Sequence, residues 1–318
     1  MKNMKIKTLL FATALVLLTS CLKEGRMNTD PGANNAVIEI ANTGDNITSS
    51  GIAGFYTDLG SVAAGASKNF NINVRYAGPG GAPSDITVTL AADAASLATY
   101  NADNGTNKVV PATSVYSFPT SVIIPKGQTQ TTVECKITVS PEFDFNKAYG
   151  IPVKITQVSS GLVSGNYGAV VYSFGVRNIF DGAYTVTGTM VDAANPGITG
   201  RYPMSVGLVT SGATQVQLYD NAIGGVYHSI LSGTSTSYYG AFGVVFNLDA
   251  SNKVISVVNA YGQPASNSRY AQLDPSGVNT WDPTTKTLKV KYFMFQPSVI
   301  AVGPRVSFDE TFTYTGVR

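Results

Sequence analysis

The sequence predicts an all-β protein of two units, a β-sandwich and then a β-barrel, and three observations carry that expectation. The 318 residues are 44% hydrophobic but only 13% charged, a balance that suits folded domains and not disorder. From Ala36 onward apolar and polar residues alternate with a period of two, in runs bounded by Gly, Pro, Asn and Asp. Only Ala91–Tyr100 (AADAASLATY) favours helix, and the polar residues 101–107 end it. At roughly 100–200 residues per domain, the length fits about two domains.

Residues 1–20 read as an export signal. Lys2, Lys5 and Lys7 precede the apolar run Leu9–Leu18 (LLFATALVLL), and Thr19, Ser20 and Cys21 follow. As a helix this run would rise only about 15 Å, half of a bilayer core, so it is too short to span. Leu18-Thr19-Ser20-Cys21 resembles the bacterial lipobox, in which the cysteine is diacylated and becomes the mature N-terminus. The alternative is ordinary signal-peptidase cleavage. The resemblance implies a lipid on Cys21 and a membrane as partner, since several acyl chains anchor stably where one binds marginally. Residues 21–35, rich in Gly, Asn and Asp, read as a flexible tether. Lys23-Glu24 loosely resembles the charged export tags of Bacteroides-type surface lipoproteins.

The first unit, residues 36–177, carries seven expected strands. Their apolar positions are Val37, Ile38 and Ile40; Phe70, Ile72 and Val74; Ile86, Val88 and Leu90; then Val122–Ile124, Val133–Val139, Ile151–Val158 and Ala169–Val176. That number suits an Ig-like sandwich, with the helix crossing between its sheets. The second unit, residues 178–318, carries eight: Tyr184–Met190, Tyr202–Val209, Thr214–Tyr219, Val226–Leu231, Phe242–Leu248, Val254–Ala260, Leu288–Phe295 and Arg305–Tyr314. Joined in order by turns at Ser211-Gly212, Asn252-Lys253 and Asp282-Pro283, they suggest an up-and-down, lipocalin-like barrel. A second sandwich is the alternative, because periodicity does not separate the two.

Charge and reactive residues narrow the function classes. Without the three signal lysines, the 21 basic residues fall to 18 against 19 acidic, a net charge near −1 that offers nucleic acid no electrostatic footprint. One histidine and two cysteines exclude a zinc site with several His or Cys ligands. With Cys21 lipidated, Cys135 has no disulfide partner; it alternates in phase with Val133, Ile137 and Val139 and reads as a buried small hydrophobe. An odd thiol could instead react or pair between chains.

Val110-Pro111-Ala112, Tyr116-Ser117-Phe118-Pro119, Val122-Ile123-Ile124-Pro125-Lys126-Gly127 and Tyr149-Gly150-Ile151-Pro152-Val153-Lys154-Ile155 form a pattern over roughly Ala36–Arg177. It resembles the N-terminal Ig-like domain of unknown function of Bacteroidetes surface lipoproteins, which also fronts some relatives of family-18 glycoside hydrolases. The C-terminal part, opening with FDGAYTVTG at Phe180–Gly188, looks like the lipocalin-type domain that often follows. About 140 residues remain there against about 250 for a TIM barrel, so the resemblance implies the binding branch and no catalytic barrel. It further implies an outer-membrane, cell-surface location and a glycan ligand or a glycan-import complex as partner.

The side chains offer little for catalysis. His228, in GVYHS, has no nucleophile elbow near it and reads as a half-exposed strand or loop histidine. Asp181, Asp192, Asp220, Asp249, Asp274, Asp282, Asp309 and Glu310 mostly read as turn formers, not as a facing acid pair. Glu142 and Asp144 supply too few oxygens for calcium. The expectation is therefore no enzyme, no cofactor and no metal. Aromatic rings carry the remaining signal: Tyr219, Tyr227, Tyr238, Tyr239, Tyr261, Tyr270 and Trp281 as ligand-binding residues, with Asn221, Gln263, Asn267, Asp220 and Arg269 as polar partners. A sugar presents an apolar C–H face and a hydroxyl rim, which flat amphipathic rings match. Tyr238 and Tyr239 are adjacent, so in a strand at least one must leave the core. The expected function is glycan binding at a cell surface. The alternative is a structural or adhesive protein with a protein partner.

Overall fold

The computed structural model describes residues 36–41, 45–46 and 51–318. The signal, Cys21 and the tether lie outside the described residues. Among these residues no helix is long and apolar enough to cross a membrane.

The N-terminal half is a two-sheet sandwich. One sheet runs Leu162–Val163, Val37–Ala41, Ser67–Ala77, Gln130–Thr138, Tyr116–Ser117; the other runs Asp45–Asn46, Ala53–Ser61, Ala169–Arg177, Ile151–Val158, Ile86–Ala92, Ser121–Ile124. Alternate residues point inward from both, so Ile38, Ile72 and Val74 meet Phe55, Val88 and Tyr172 in one core.

Ala53–Ser61 is a strand that the periodicity did not predict. Gly54, Thr57, Asp58 and Gly60 break its apolar alternation, yet it lies parallel to Ala169–Arg177 and buries Phe55 and Leu59. Gly54 has a packing reason: a Cβ there would lie 2.5 Å from Cε2 of Tyr100. That ring belongs to the helix, which spans Ala94–Asn104 and so begins three residues later than expected. Asp93 stands at the N-cap position, its carboxylate accepting from the Ser96 hydroxyl, and Gly105, at φ 61°, ends the helix in the left-handed conformation that suits glycine. Leu97 and Tyr100 pack on Val171.

Cys135 is fully buried in this core, and burial pushes its thiol up to about 12. Thiolate is the reactive form. We expect Cys135 to resist iodoacetamide at neutral pH in the native protein and to be alkylated once the chain is unfolded; rapid labelling of Cys135 in the native protein would contradict the buried position.

The C-terminal half has its own core and a meandering antiparallel barrel. Its strands follow one another in space as Val254–Asn259, Val244–Leu248, Gln215–Asp220, Met204–Gly212, Gly182–Asp192, Val306–Gly316, Thr287–Phe295 and Tyr270–Leu273. The first and last of these pack side by side and nearly close the barrel. Eight strands lie on this path and a ninth, Thr280–Asp282, pairs with Thr287–Phe295 off it, so the sheet has one strand more than the eight expected. Tyr270–Leu273 is a strand beyond those expected, and the expected Val226–Leu231 is absent from the barrel, where Gln215–Asp220 pairs directly with Val244–Leu248. Ser229–Ser232 instead pairs with Ile198–Gly200 and Ser235–Tyr238 in a separate three-stranded sheet.

The connections divide the barrel into two unlike ends. At one end the chain turns through 213–214, 249–253 and 274–286. Asn178, fully buried, helps close this end by donating to the carbonyls of Gly212 and Gln215. At the other end run 193–203, 221–243, 260–269 and 296–305, and these form the mouth.

Candidate binding face at the barrel mouth

Tyr184, Phe242, Phe246, Tyr292 and Phe312 are among the fully buried side chains of the barrel core, and exposed aromatic side chains gather at the mouth. Three of the seven predicted aromatic residues come together there. Tyr227 precedes the hairpin Ser229–Tyr238, Tyr238 ends it, and Tyr261 follows the strand Val254–Asn259. The Tyr227 and Tyr261 rings are 5.3 Å apart and nearly parallel, at 13°; Tyr238 leans on Tyr227 at 4.4 Å. Tyr238 is 44% exposed and Tyr261 42%. Partial burial, with a hydrogen bond and repulsion from Tyr227, raises the Tyr261 phenol, so Tyr261 keeps its hydroxyl proton at ordinary pH.

Gly243 holds this platform against the barrel. The carbonyl oxygen of Val226 lies where a Cβ at Gly243 would sit, 2.2 Å away, so the segment entering Tyr227 runs directly over the start of the strand Val244–Leu248.

The other four aromatic residues are placed otherwise. Tyr239 is 3% exposed, and its hydroxyl donates to Asp192 Oδ2 at 2.6 Å. Trp281 is also 3% exposed and packs edge-on to Phe180 at 5.0 Å. Neither offers a face to a surface ligand, because both are core side chains. Tyr219 is exposed opposite Gly207 on the barrel wall, and Tyr270 stacks on Phe295 at 4.8 Å.

The polar residues expected to meet a sugar instead build the mouth. Asp220 is fully buried and accepts from the backbone N–H groups of Ala222, Ile223 and Ser229. Gln263 accepts from the N–H groups of Asn259 and Ala271. Arg269 and Asn267 both donate to the carbonyl of Gly240, beside the exposed Tyr238, and Asn221 donates to Ser205 Oγ. These groups are spent on loop geometry.

Beneath the platform lie two buried ionic networks that the sequence reading missed. His228 is not half-exposed; it is completely buried. Its Nδ1 lies 2.9 Å from the carbonyl oxygen of Ser229 and its Nε2 lies 2.6 Å from Glu310 Oε1. Both neighbours are acceptors, so both ring nitrogens carry protons and the ring is an imidazolium. Burial, the largest cause, would lower the His228 pKa, but the Glu310 carboxylate, Asp220 and the Ser229 carbonyl together outweigh it and the net shift is upward. Tyr202 donates to the same Glu310 oxygen at 2.5 Å, and Tyr292 donates to Oε2 at 2.7 Å. Glu310 is thus no turn former. It points inward from a strand between Phe308 and Phe312, and the alternation Val306, Phe308, Glu310, Phe312 was the signal that could have placed it.

The second network centres on Asp192, which is 1% exposed. It accepts from Tyr239, from Arg305 at 3.0 Å and from the N–H groups of Ala194 and Asn195. The guanidinium groups of Arg269 and Arg305 both lie over the Tyr239 ring, at 5.3 and 5.2 Å. Gln296 accepts from both of them. Among the described residues no three His, Cys, Asp or Glu side chains converge as a metal site would require.

Residues 45–162 match a family model described as a "-like, N-terminal domain". A Bacteroides ovatus protein of unknown function is 12% identical in solved structure and superposes with a TM-score of 0.54, covering 89% of this chain and 95% of its own. A second B. ovatus protein of unknown function, also 12% identical, covers 87% and 93% with a TM-score of 0.47. A third from that species, described as a candidate carbohydrate binding protein, is 11% identical over 83% and 97%, with a TM-score of 0.37. No curated protein matches the chain. The first likeness extends over both halves and shows a shared fold; at such identity it shows the fold alone.

Proposed function

We propose that this chain is a non-enzymatic, lipid-anchored protein of the bacterial outer surface that binds glycan at the mouth of a lipocalin-like C-terminal barrel. The observation that carries this reading is the exposed cluster of Tyr227, Tyr238 and Tyr261. Its rings offer an apolar surface with hydroxyl tips, the complement of a sugar ring's C–H face and rim. Buried networks fix the loops beneath them, which reduces the entropy lost when a ligand binds. The lipobox resemblance at Cys21 supports the anchor, and the same reading gives the protein a place beside a glycan-import complex.

Affinity electrophoresis of the full chain through gels containing polysaccharides tests the reading. Retention is expected on at least one glycan, and replacing Tyr238 or Tyr261 by alanine should weaken it on the order of tenfold, as loss of a central aromatic contact does. Because both rings are exposed, stability should change by only about 0.5 kcal/mol. No retention on any glycan would defeat the proposal.

The large aromatic side chains packed in the barrel core favour a second reading, in which the same exposed tyrosines seat another protein. Capture of a protein partner that Tyr238→Ala abolishes, with no retention on sugars, would select it.

A further inference from the structure

A pocket of about 300 Å³ opens in the sandwich beside the parallel strands Ala53–Ser61 and Ala169–Arg177. Tyr56, Phe143, Phe145, Tyr149 and Phe174 form much of its lining, joined by Lys108, Lys147 and Ser173. The rings support one another: Phe143 meets Phe145 edge-on at 4.7 Å, and Tyr149 stacks on Phe174 at 6.0 Å and 10°. Across the ladder Tyr56 faces Ser173, and a Cβ at Gly175 would lie 2.2 Å from the Tyr56 hydroxyl, so glycine there makes room for the phenol.

One buried polar atom in this pocket has no partner among the described residues. Ser173 is 4% exposed and its hydroxyl has no hydrogen-bond partner among the described residues. Leaving a buried hydroxyl unpaired is costly, which marks it as a place where a ligand atom can be accepted with gain. Lys108 is half-buried, and burial lowers its pKa. Among the described residues no carboxylate pairs with it, whereas Lys147 has Asp144 at 3.9 Å. The pocket therefore joins flat apolar walls, a hydroxyl in want of a partner and a surplus positive charge.

We propose that this pocket binds a small carboxylate carried on a ring, with the ring among the aromatic side chains and the carboxylate meeting Lys108 and the Ser173 hydroxyl. The site is separate from the barrel mouth and stands whether or not the mouth binds glycan. A sugar acid and an aromatic acid share the chemistry.

Titration calorimetry of the full chain in detergent, with sodium glucuronate, sodium benzoate and glucose in turn, tests the proposal and separates the two sources. Saturable binding of either acid, without comparable binding of glucose, is expected. Lys108→Met keeps the apolar stem and should weaken that binding by about tenfold, the loss of one charge-assisted contact. Ser173→Ala should weaken binding while leaving the melting temperature unchanged or raised, because it deletes a hydroxyl the fold does not use. Tyr238→Ala should leave binding of the acid unchanged. Binding of neither acid, equal binding of glucose, or full affinity in Lys108→Met would overturn the proposal.

Discussion

Replacing Glu310 by alanine is expected to destabilise the barrel by about 3–5 kcal/mol, the cost of breaking a buried ion pair from one side. The change strands three groups at once. His228 would be left fully buried with a charge and no counterion, and the Tyr202 and Tyr292 hydroxyls would each lose an acceptor. The pH dependence gives a sharper signature than the magnitude. In the native protein the His228 pKa is raised above its unfolded value of about 6.5. Its contribution is therefore complete below about pH 6.5 and is lost as pH rises through the folded value. Without Glu310, desolvation, the largest cause, is opposed by Asp220 and the Ser229 carbonyl, so the upward shift should fall away and the variant should lose the native decline in stability as pH rises. The chain's single tryptophan, Trp281, is buried in the barrel core, so urea unfolding followed by its fluorescence isolates this half from the sandwich. A Glu310→Ala transition that matched the native one at acid pH would show that the pair carries no stability.

Glu310 also marks the boundary of what could be read from the chain. Strands that alternate cleanly, such as Phe70-Ile72-Val74 or Val133-Cys135-Ile137, were legible because each apolar residue falls on one face of a pleated ladder. Ala53–Ser61 was not, because the two glycines and Asp58 that spoil its pattern answer local demands; Gly54 yields to the Tyr100 ring. Ser235–Tyr238 (STSY) was missed for the opposite reason: it lies outside the barrel and has almost no apolar face. At the site, adjacency correctly separated Tyr238 from Tyr239, one exposed and one buried. Which tyrosines would converge could not be read, since Tyr227, Tyr238 and Tyr261 meet only after two connections, 221–243 and 260–269, fold over one barrel end. The buried acids failed by residue type. Asp192 and Asp220 do accept turn N–H groups, as turn formers should, but their second oxygens reach into networks that local sequence does not encode.

Asp192→Asn is expected to separate the charge of that second network from its shape. Asparagine can keep its oxygen on the Ala194 and Asn195 N–H groups, but its side-chain NH2 then faces the Tyr239 hydroxyl and Arg305 in place of an acceptor, and two guanidinium groups are left against one ring. A loss of about 2–3 kcal/mol follows, below the 3–5 kcal/mol of outright pair breaking because the backbone bonds persist. For the native carboxyl, burial would raise the pKa, but the bonds from Arg305, Tyr239 and Ala194 outweigh it and the net shift is downward. Its contribution is thus present above the unfolded value of about 3.9 and fades as pH falls through the folded one. Acid unfolding of the barrel should consequently begin at lower pH in the native protein than a normal aspartate would allow, and the variant should lose that acid-side slope. The effect also reaches the platform. Tyr239, anchored by Asp192, directly follows Tyr238, and Arg269 ties the carbonyl of Gly240 to the same network. Amide exchange across 238–243 should therefore quicken in Asp192→Asn under conditions where the barrel remains folded, and glycan retention should weaken although no ring has been removed. Unchanged exchange there would mean that the platform is held by the hairpin alone.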